Sequence, residues 1–204
     1  MRLVMLGPPG AGKSTQAQRA AAKYGIPHLS AGVLLRAAVA SDAPVGALAK
    51  DTMARGDLVP DDIVQAIVFE RLDGPETHNG FILDGFPRTI AQAEALDRFL
   101  RDRGLGLGAA IELKAKDHAL VERIAARNAN AVARREPRRI DDNADVLRSR
   151  IHAYHRQTAP LLEYYQRQGI LHSVDGMLPI AEVEQEIDRI VARLQIEKVP
   201  DSDV

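Results

Sequence analysis

The chain has 204 residues, a length that suits one α/β domain with a sizeable core and small insertions. Hydrophobic residues make up 46% and charged residues 27%, an ordinary globular composition. A net charge of −1 argues against a general nucleic-acid or membrane-surface binder, and the absence of cysteine excludes disulfides and thiolate metal sites. A cysteine-free chain fits a cytoplasmic location, "MRLVMLG" is too short for a signal peptide, and no apolar run approaches the roughly 20 residues of a membrane span.

Short apolar runs bounded by Gly, Pro or Asp recur along the chain. They are "RLVML" at 2–6, "FILD" at 81–84, "AAIEL" at 109–113 and "ILHSV" at 170–174, with a shorter one, "PHLS", at 27–30. Helical spacing fills the intervals at 13–24, 33–40, 61–72, 89–103, 117–134, 142–168 and 179–195. Strands alternating with helices predict a five-stranded parallel sheet wrapped by helices, an α/β fold. Turn chemistry in "SDAPVG" at 41–46 and "RGDLVPDD" at 55–62 brackets a small helical insertion after the second strand. The polar tail "EKVPDSDV" is expected to fray.

"GPPGAGKST" at 7–15 contains Gly7-x-x-x-x-Gly12-Lys13-Ser14, a full phosphate-loop pattern. It stands after an apolar strand and before a helix, the context that gives the pattern meaning. Glycines let the backbone turn and approach phosphate oxygens, and the helix N-terminus offers partial positive charge. Gly10, Ala11, Gly12, Lys13, Ser14 and Thr15 are therefore expected to bind ATP. Lys13 would meet the β/γ-phosphates, and the Ser14 hydroxyl can reach Mg²⁺.

A second stretch, "FILDGFPR" at 81–88, ends a strand in Asp84, turns at Gly85 and places Arg88 after Pro87. Ligands of doubly wound sheets bind at the carboxyl ends of strands. Asp84 is expected there beside the phosphate loop, holding Mg²⁺ directly or through water, with Arg88 facing the transferred group. The competing reading makes Asp84 a cap for the next helix.

These segments, with "LSAGVLLR", "GDLVPDD", "GFILDGFPRTIAQAEAL", "RIDDNADVLRSRI", "YHRQTAPLLEYY" and "VDGMLPIAEV", resemble the adenylate kinases in order and spacing from about residue 1 to 195. The "DGFPRT" run followed by Gln92 is specific to that family and its nucleoside-monophosphate kinase relatives. The resemblance implies a three-layer P-loop NTPase fold with a CORE at 1–29, 60–125 and 138–204. It also implies an acceptor-binding insertion at 30–59 and a short LID at 126–137. The implied reaction is reversible phosphoryl transfer from Mg-ATP to AMP, giving two ADP, by a monomer without nucleic-acid or membrane partners. Zinc is not expected, because the lid segment "RNANAVARREPRR" offers neither Cys nor His.

Two facing nucleotides concentrate negative charge, and arginine clamps such oxygens with a planar, permanently charged fork. By position in the motifs, the resemblance puts Arg36 and Arg88 on the acceptor phosphate, and Arg123 and Arg127 on the donor nucleotide. Arg139 and Arg150 would close over the phosphates. Lys13, Arg88, Arg123, Arg139 and Arg150 are the expected catalytic set. Leu178 joins the ATP site, and Ala31, Asp57, Leu58, Val59, Gly85, Phe86, Pro87 and Gln92 join the AMP site. Arg134, Arg135 and Arg138 are read as solvated, no side chain is an obligatory general base, and His28 and His172 are read as packed or surface residues.

The chain departs from the family pattern at three positions. Ser14 stands where the family usually has Gly, Ala31 where it has Thr, and Val33 where it has Asp. Ser14 restores the general phosphate-loop pattern. Ala31 also occurs in UMP/CMP kinases, whereas Gln92 favours adenine through its amide. A UMP/CMP-type kinase and an ATP-binding paralogue with weak catalysis are therefore the alternatives. The expected outcome is AMP as best acceptor, with side activity on CMP or UMP.

Overall fold

The fold is taken from a computed structural model that describes residues 1–41, 44–133 and 144–196. The strands are β1 (Arg2–Leu6), β2 (His28–Ser30), β3 (Phe81–Asp84), β4 (Ala109–Lys114) and β5 (Leu171–Asp175). They form one parallel sheet in the order β2-β3-β1-β4-β5. β1, β3 and β4 are buried on both faces and largely apolar, as a parallel sheet covered by helices requires, whereas in the short β2 only Leu29 is buried.

Sheet residues alternate between two cores. Val4, Leu6 and Leu83 face one layer, which includes α2 (Ala31–Ala40), α4 (Asp61–Leu72), α5 (Ile90–Arg101) and α8 (Pro160–Arg167). Leu3, Met5, Ile82 and Ile111 face the other, against α1 (Lys13–Tyr24), α6 (Asp117–Ala133) and α9 (Ile180–Ile196). The result is the expected three layers. In α1, Ala17 and Ala20 supply a small-residue face that lets the helix lie close to the sheet, and the helix stops at Gly25, whose φ of 64° a side chain would resist. The insertion after β2 is more helical than its turn signals suggest: α2 begins at Ala31, and α3 occupies Pro44–Arg55.

The segment read as one helix over 142–168 is not continuous. α7 (Ala144–Ala153) passes into a π-helical turn at Tyr154–Thr158 before α8. Pro160 has no N–H to donate to the preceding turn, and the Ala159 N–H instead reaches back five residues to the Tyr154 carbonyl at 2.8 Å. Residues 134–137 of the lid, Arg138, Arg139 and the tail at 197–204 lie outside the described residues.

Candidate active site

The central strand β1 feeds the phosphate loop, and its neighbour β3 ends beside it: Met5 pairs with Asp84 in register. Gly7 holds φ +134°, and a Cβ there would lie 2.5 Å from the Leu113 carbonyl oxygen, so the loop crosses β4 at a distance only glycine permits. Gly12 also has a positive φ, 98°, at the start of α1. No acidic residue occupies the first turn of α1, which leaves the positive end of its dipole unopposed. The Lys13 ammonium bridges the loop, donating to the Gly7 carbonyl at 2.7 Å and to the Pro8 carbonyl at 2.8 Å.

Asp84 does not cap the following helix. Thr89 does that, its hydroxyl accepting the Gln92 N–H. The Asp84 side chain turns instead towards the phosphate loop, where its Oδ2 accepts the Ser14 hydroxyl at 2.5 Å. The His28 Nε2 stands 3.6 Å from the same oxygen, too far for a hydrogen bond but close enough to act electrostatically. Burial pushes the Asp84 carboxyl up; His28, the Lys13 charge and the Ser14 hydroxyl outweigh burial and bring it down to about 2. The carboxylate is thus held ionised while only 4% exposed. A hydroxyl and a carboxylate are hard oxygen donors of the kind Mg²⁺ takes, so this pair fits that ion. Among the described residues no group of three or more His, Asp or Glu side chains is assembled as a metal site.

A cleft of about 960 Å³ opens at these strand ends. One wall carries Gly10, Ala11, Gly12, Lys13, Ser14 and Thr15, with Arg123 from α6 and Leu178 from the loop after β5. Arg123 is steadied by donating to the Gly176 carbonyl at 2.7 Å. The other wall carries Arg36, Asp57, Leu58, Val59, Gly85, Arg88 and Gln92, with Val33 more than half exposed on it. Arg150 of α7 reaches the same cleft, its stem packed at the Gly56 turn. Gly85, with φ +77°, leaves room for the Arg88 guanidinium, which donates from Nε to the Gly85 carbonyl at 2.9 Å. Thr158 of the π turn donates to the Arg88 carbonyl, also at 2.9 Å, so the irregular turn anchors this arginine's backbone.

Three expected contacts sit elsewhere. Ala31 and Phe86 are buried behind the wall, at 2% and 0% exposure, because the apolar layer around α2 and β3 draws them inward. Pro87 lines a smaller adjoining cavity with Arg88, Arg150 and Tyr154. Arg127 lies one turn beyond Arg123 on α6 with its side chain outside the described set, and Arg139 is outside the described residues.

His28, read from the sequence as a packed or surface residue, and Thr158, which the sequence did not mark, belong to the site's surroundings. His28 reaches Asp84 because β2 pairs with β3, a strand order that periodicity does not reveal. Thr158 arrives through the π turn. Each has a local signal, a histidine in a strand next to the insertion and a Thr-Ala-Pro in a helix, but neither signal names its partner.

The family model described as adenylate kinase matches residues 5–170. The adenylate kinase of Nitrobacter hamburgensis is 53% identical over 191 residues, covering 94% of this chain and 92% of its own. That of Azorhizobium caulinodans is 54% identical over 191 residues, covering 94% and 98%. That of Xanthobacter autotrophicus is 55% identical over 192 residues, again covering 94% and 98%. With a phosphate loop, an ionised aspartate and arginines from four segments converging on one cleft, the chain belongs to the adenylate kinase family and is a phosphotransferase of nucleotides.

Proposed function

We propose that the chain moves the terminal phosphoryl group of Mg-ATP reversibly to AMP, giving two ADP, as a cytoplasmic monomer. One observation carries this reading: the phosphate loop and the Arg88–Gln92 wall face a single cleft, so donor and acceptor can be held end to end. Gly10, Ala11, Gly12, Lys13, Ser14 and Thr15 cradle the donor phosphates, and Arg123, Arg127 and Leu178 hold the rest of ATP. Arg36 and Arg88 grip the acceptor phosphate, while residues 57–59, Gly85 and Gln92 enclose its nucleoside. Ala31, Phe86 and Pro87 support that wall from behind, and Arg139 and Arg150 approach over the phosphates. Ser14 and Asp84 would hold Mg²⁺, which supplies positive charge to the donor's phosphate oxygens when bound.

The chemistry asks little else of the protein. An oxygen of the acceptor phosphate is already anionic, so it attacks the γ-phosphorus without a general base. The bond from the γ-phosphorus to the bridging oxygen breaks, and charge spreads over the transferred group and the departing ADP. Lys13, Arg88, Arg123 and Arg150 can meet that charge from different sides. Water must be kept out or ATP would be hydrolysed. The insertion at 30–59 and the lid at 126–137 would supply this by closing over the nucleotides.

Gln92 supports adenine as the acceptor base, since a carboxamide offers a donor and an acceptor side by side. An acceptor panel of AMP, CMP, UMP and GMP with saturating Mg-ATP tests the reading. AMP is expected to have the highest kcat/KM. A higher kcat/KM for CMP or UMP would replace it with a UMP/CMP-type kinase.

A further inference from the structure

Gln92 is 2% exposed and lines the cleft, yet its amide is already half committed. Its Oε1 accepts the Arg88 backbone N–H at 2.8 Å, and its Nε2 donates to Asp61 Oδ1 at 2.7 Å. Asp61 is itself held: the Thr89 hydroxyl donates to its other oxygen at 2.7 Å, and the same hydroxyl accepts the Gln92 N–H at 3.1 Å. The ring joins the first residue of α4 to the first turn of α5. It also decides which way the amide points. A flipped amide would set NH₂ against the Arg88 N–H and oxygen against the Asp61 carboxylate, losing two hydrogen bonds at once.

A carboxamide has two N–H donors and two lone pairs. One of each is used by the ring, which leaves one donor and one acceptor in fixed order. Adenine presents a donor at N6 beside an acceptor at N1; hypoxanthine presents the reverse, an acceptor at O6 beside a donor at N1. A pinned amide pairs with one of these edges and opposes the other, whereas an amide free to flip pairs with both. We propose that Asp61 is a positioning residue for acceptor specificity: by fixing the orientation of Gln92 it makes the site reject 6-oxopurine monophosphates. This rests on the reading that Gln92 faces the acceptor base.

Asp61→Asn tests it. Asparagine can present either oxygen or NH₂ to Gln92, so the amide loses one of its two orienting partners. The ratio of kcat/KM for IMP to that for AMP should rise about tenfold, the scale of one hydrogen bond regained by the wrong base. The KM for ATP should stay unchanged, because the ring does not touch the donor wall. A purely structural role would lower stability and leave the ratio alone. Asp61→Ala, which removes the orienting carboxylate without offering an alternative, should shift the ratio in the same direction and serves if the asparagine variant does not fold. Gln92→Ala separates the two readings. If it abolishes the AMP-over-IMP preference while both Asp61 variants leave that preference intact, the positioning role is overturned and Gln92 still reads the base. If Gln92→Ala also leaves the preference intact, Gln92 does not read the base and both readings fall.

Discussion

Replacing Ser14 with alanine tests how the phosphate loop is tied to the end of β3. The Ser14 hydroxyl donates to Asp84 Oδ2 at 2.5 Å, and Asp84 is only 4% exposed. A hydrogen bond to a charged group contributes about 1.5–3 kcal/mol, which puts the expected loss near 2 kcal/mol. For a chain of this size that corresponds to a fall in Tm of about 4–8 °C. The effect has a defined pH dependence. The folded Asp84 carboxyl lies at about 2 against an ordinary 3.8, so its contribution is fully present above 3.8 and is lost as pH falls through the folded value. The Ser14→Ala penalty should therefore be complete at neutral pH and shrink as the pH drops from about 4 towards 2. Thermal unfolding measured across that range, with Thr15→Ala from the same helical turn as a control, provides the assay. Carbon NMR of the Asp84 carboxyl should show its titration midpoint moving upward in the variant. A Tm unchanged at neutral pH, with an unmoved midpoint, would refute the reasoning.

Other substitutions probe the rest of the site. Gly7→Ala should lower the unfolding free energy measured by denaturant titration by about 2–4 kcal/mol, because a Cβ would stand 2.5 Å from a backbone oxygen at a strained φ; an unchanged midpoint would contradict the close crossing. Arg88→Lys should cut kcat by roughly a hundredfold or more while ATP binding persists, since charge is kept and the guanidinium fork is lost; near-normal turnover would remove Arg88 from the transfer site. A bisubstrate analogue carrying two adenosines should reduce the radius of gyration in small-angle scattering, and no change at saturation would count against closure of 30–59 and 126–137 over the ligands.

The parts of this architecture that were legible in the sequence are those in which function and backbone geometry depend on the same residues. The phosphate loop announces itself because its glycines are needed both for the φ values observed at Gly7 and Gly12 and for access to phosphate. β1, β3 and β4 are visible because strands buried on both faces must be largely apolar, whereas β2 and β5, each with one buried residue, are read from short apolar runs bounded by Pro, Gly or Asp. What periodicity could not show is adjacency. That β2 lies against β3, bringing His28 to Asp84, follows from strand order rather than from either segment. The ring that joins Asp61 to Gln92 spans 31 positions in the chain and has no local pattern. The helix at 142–168 read as continuous because its apolar spacing carries through, and Pro160 turned out to mark a π turn that brings Thr158 to Arg88. Ala31 drew attention as a missing hydroxyl, but whether it touches the cleft depends on how deeply the start of α2 is buried.

Phosphorus NMR of the purified protein with Mg²⁺ and equal amounts of ATP and AMP tests the central claim most directly. The γ-phosphate resonance of ATP and the AMP resonance should both decline while ADP grows at twice the rate of either loss, and adding only ADP should run the same reaction backwards. Lys13→Ala should slow both directions by at least about a thousandfold, since the lysine meets charge that develops during transfer. Inorganic phosphate appearing in place of a second ADP, or ADP formation that survives the loss of Lys13, would contradict the account.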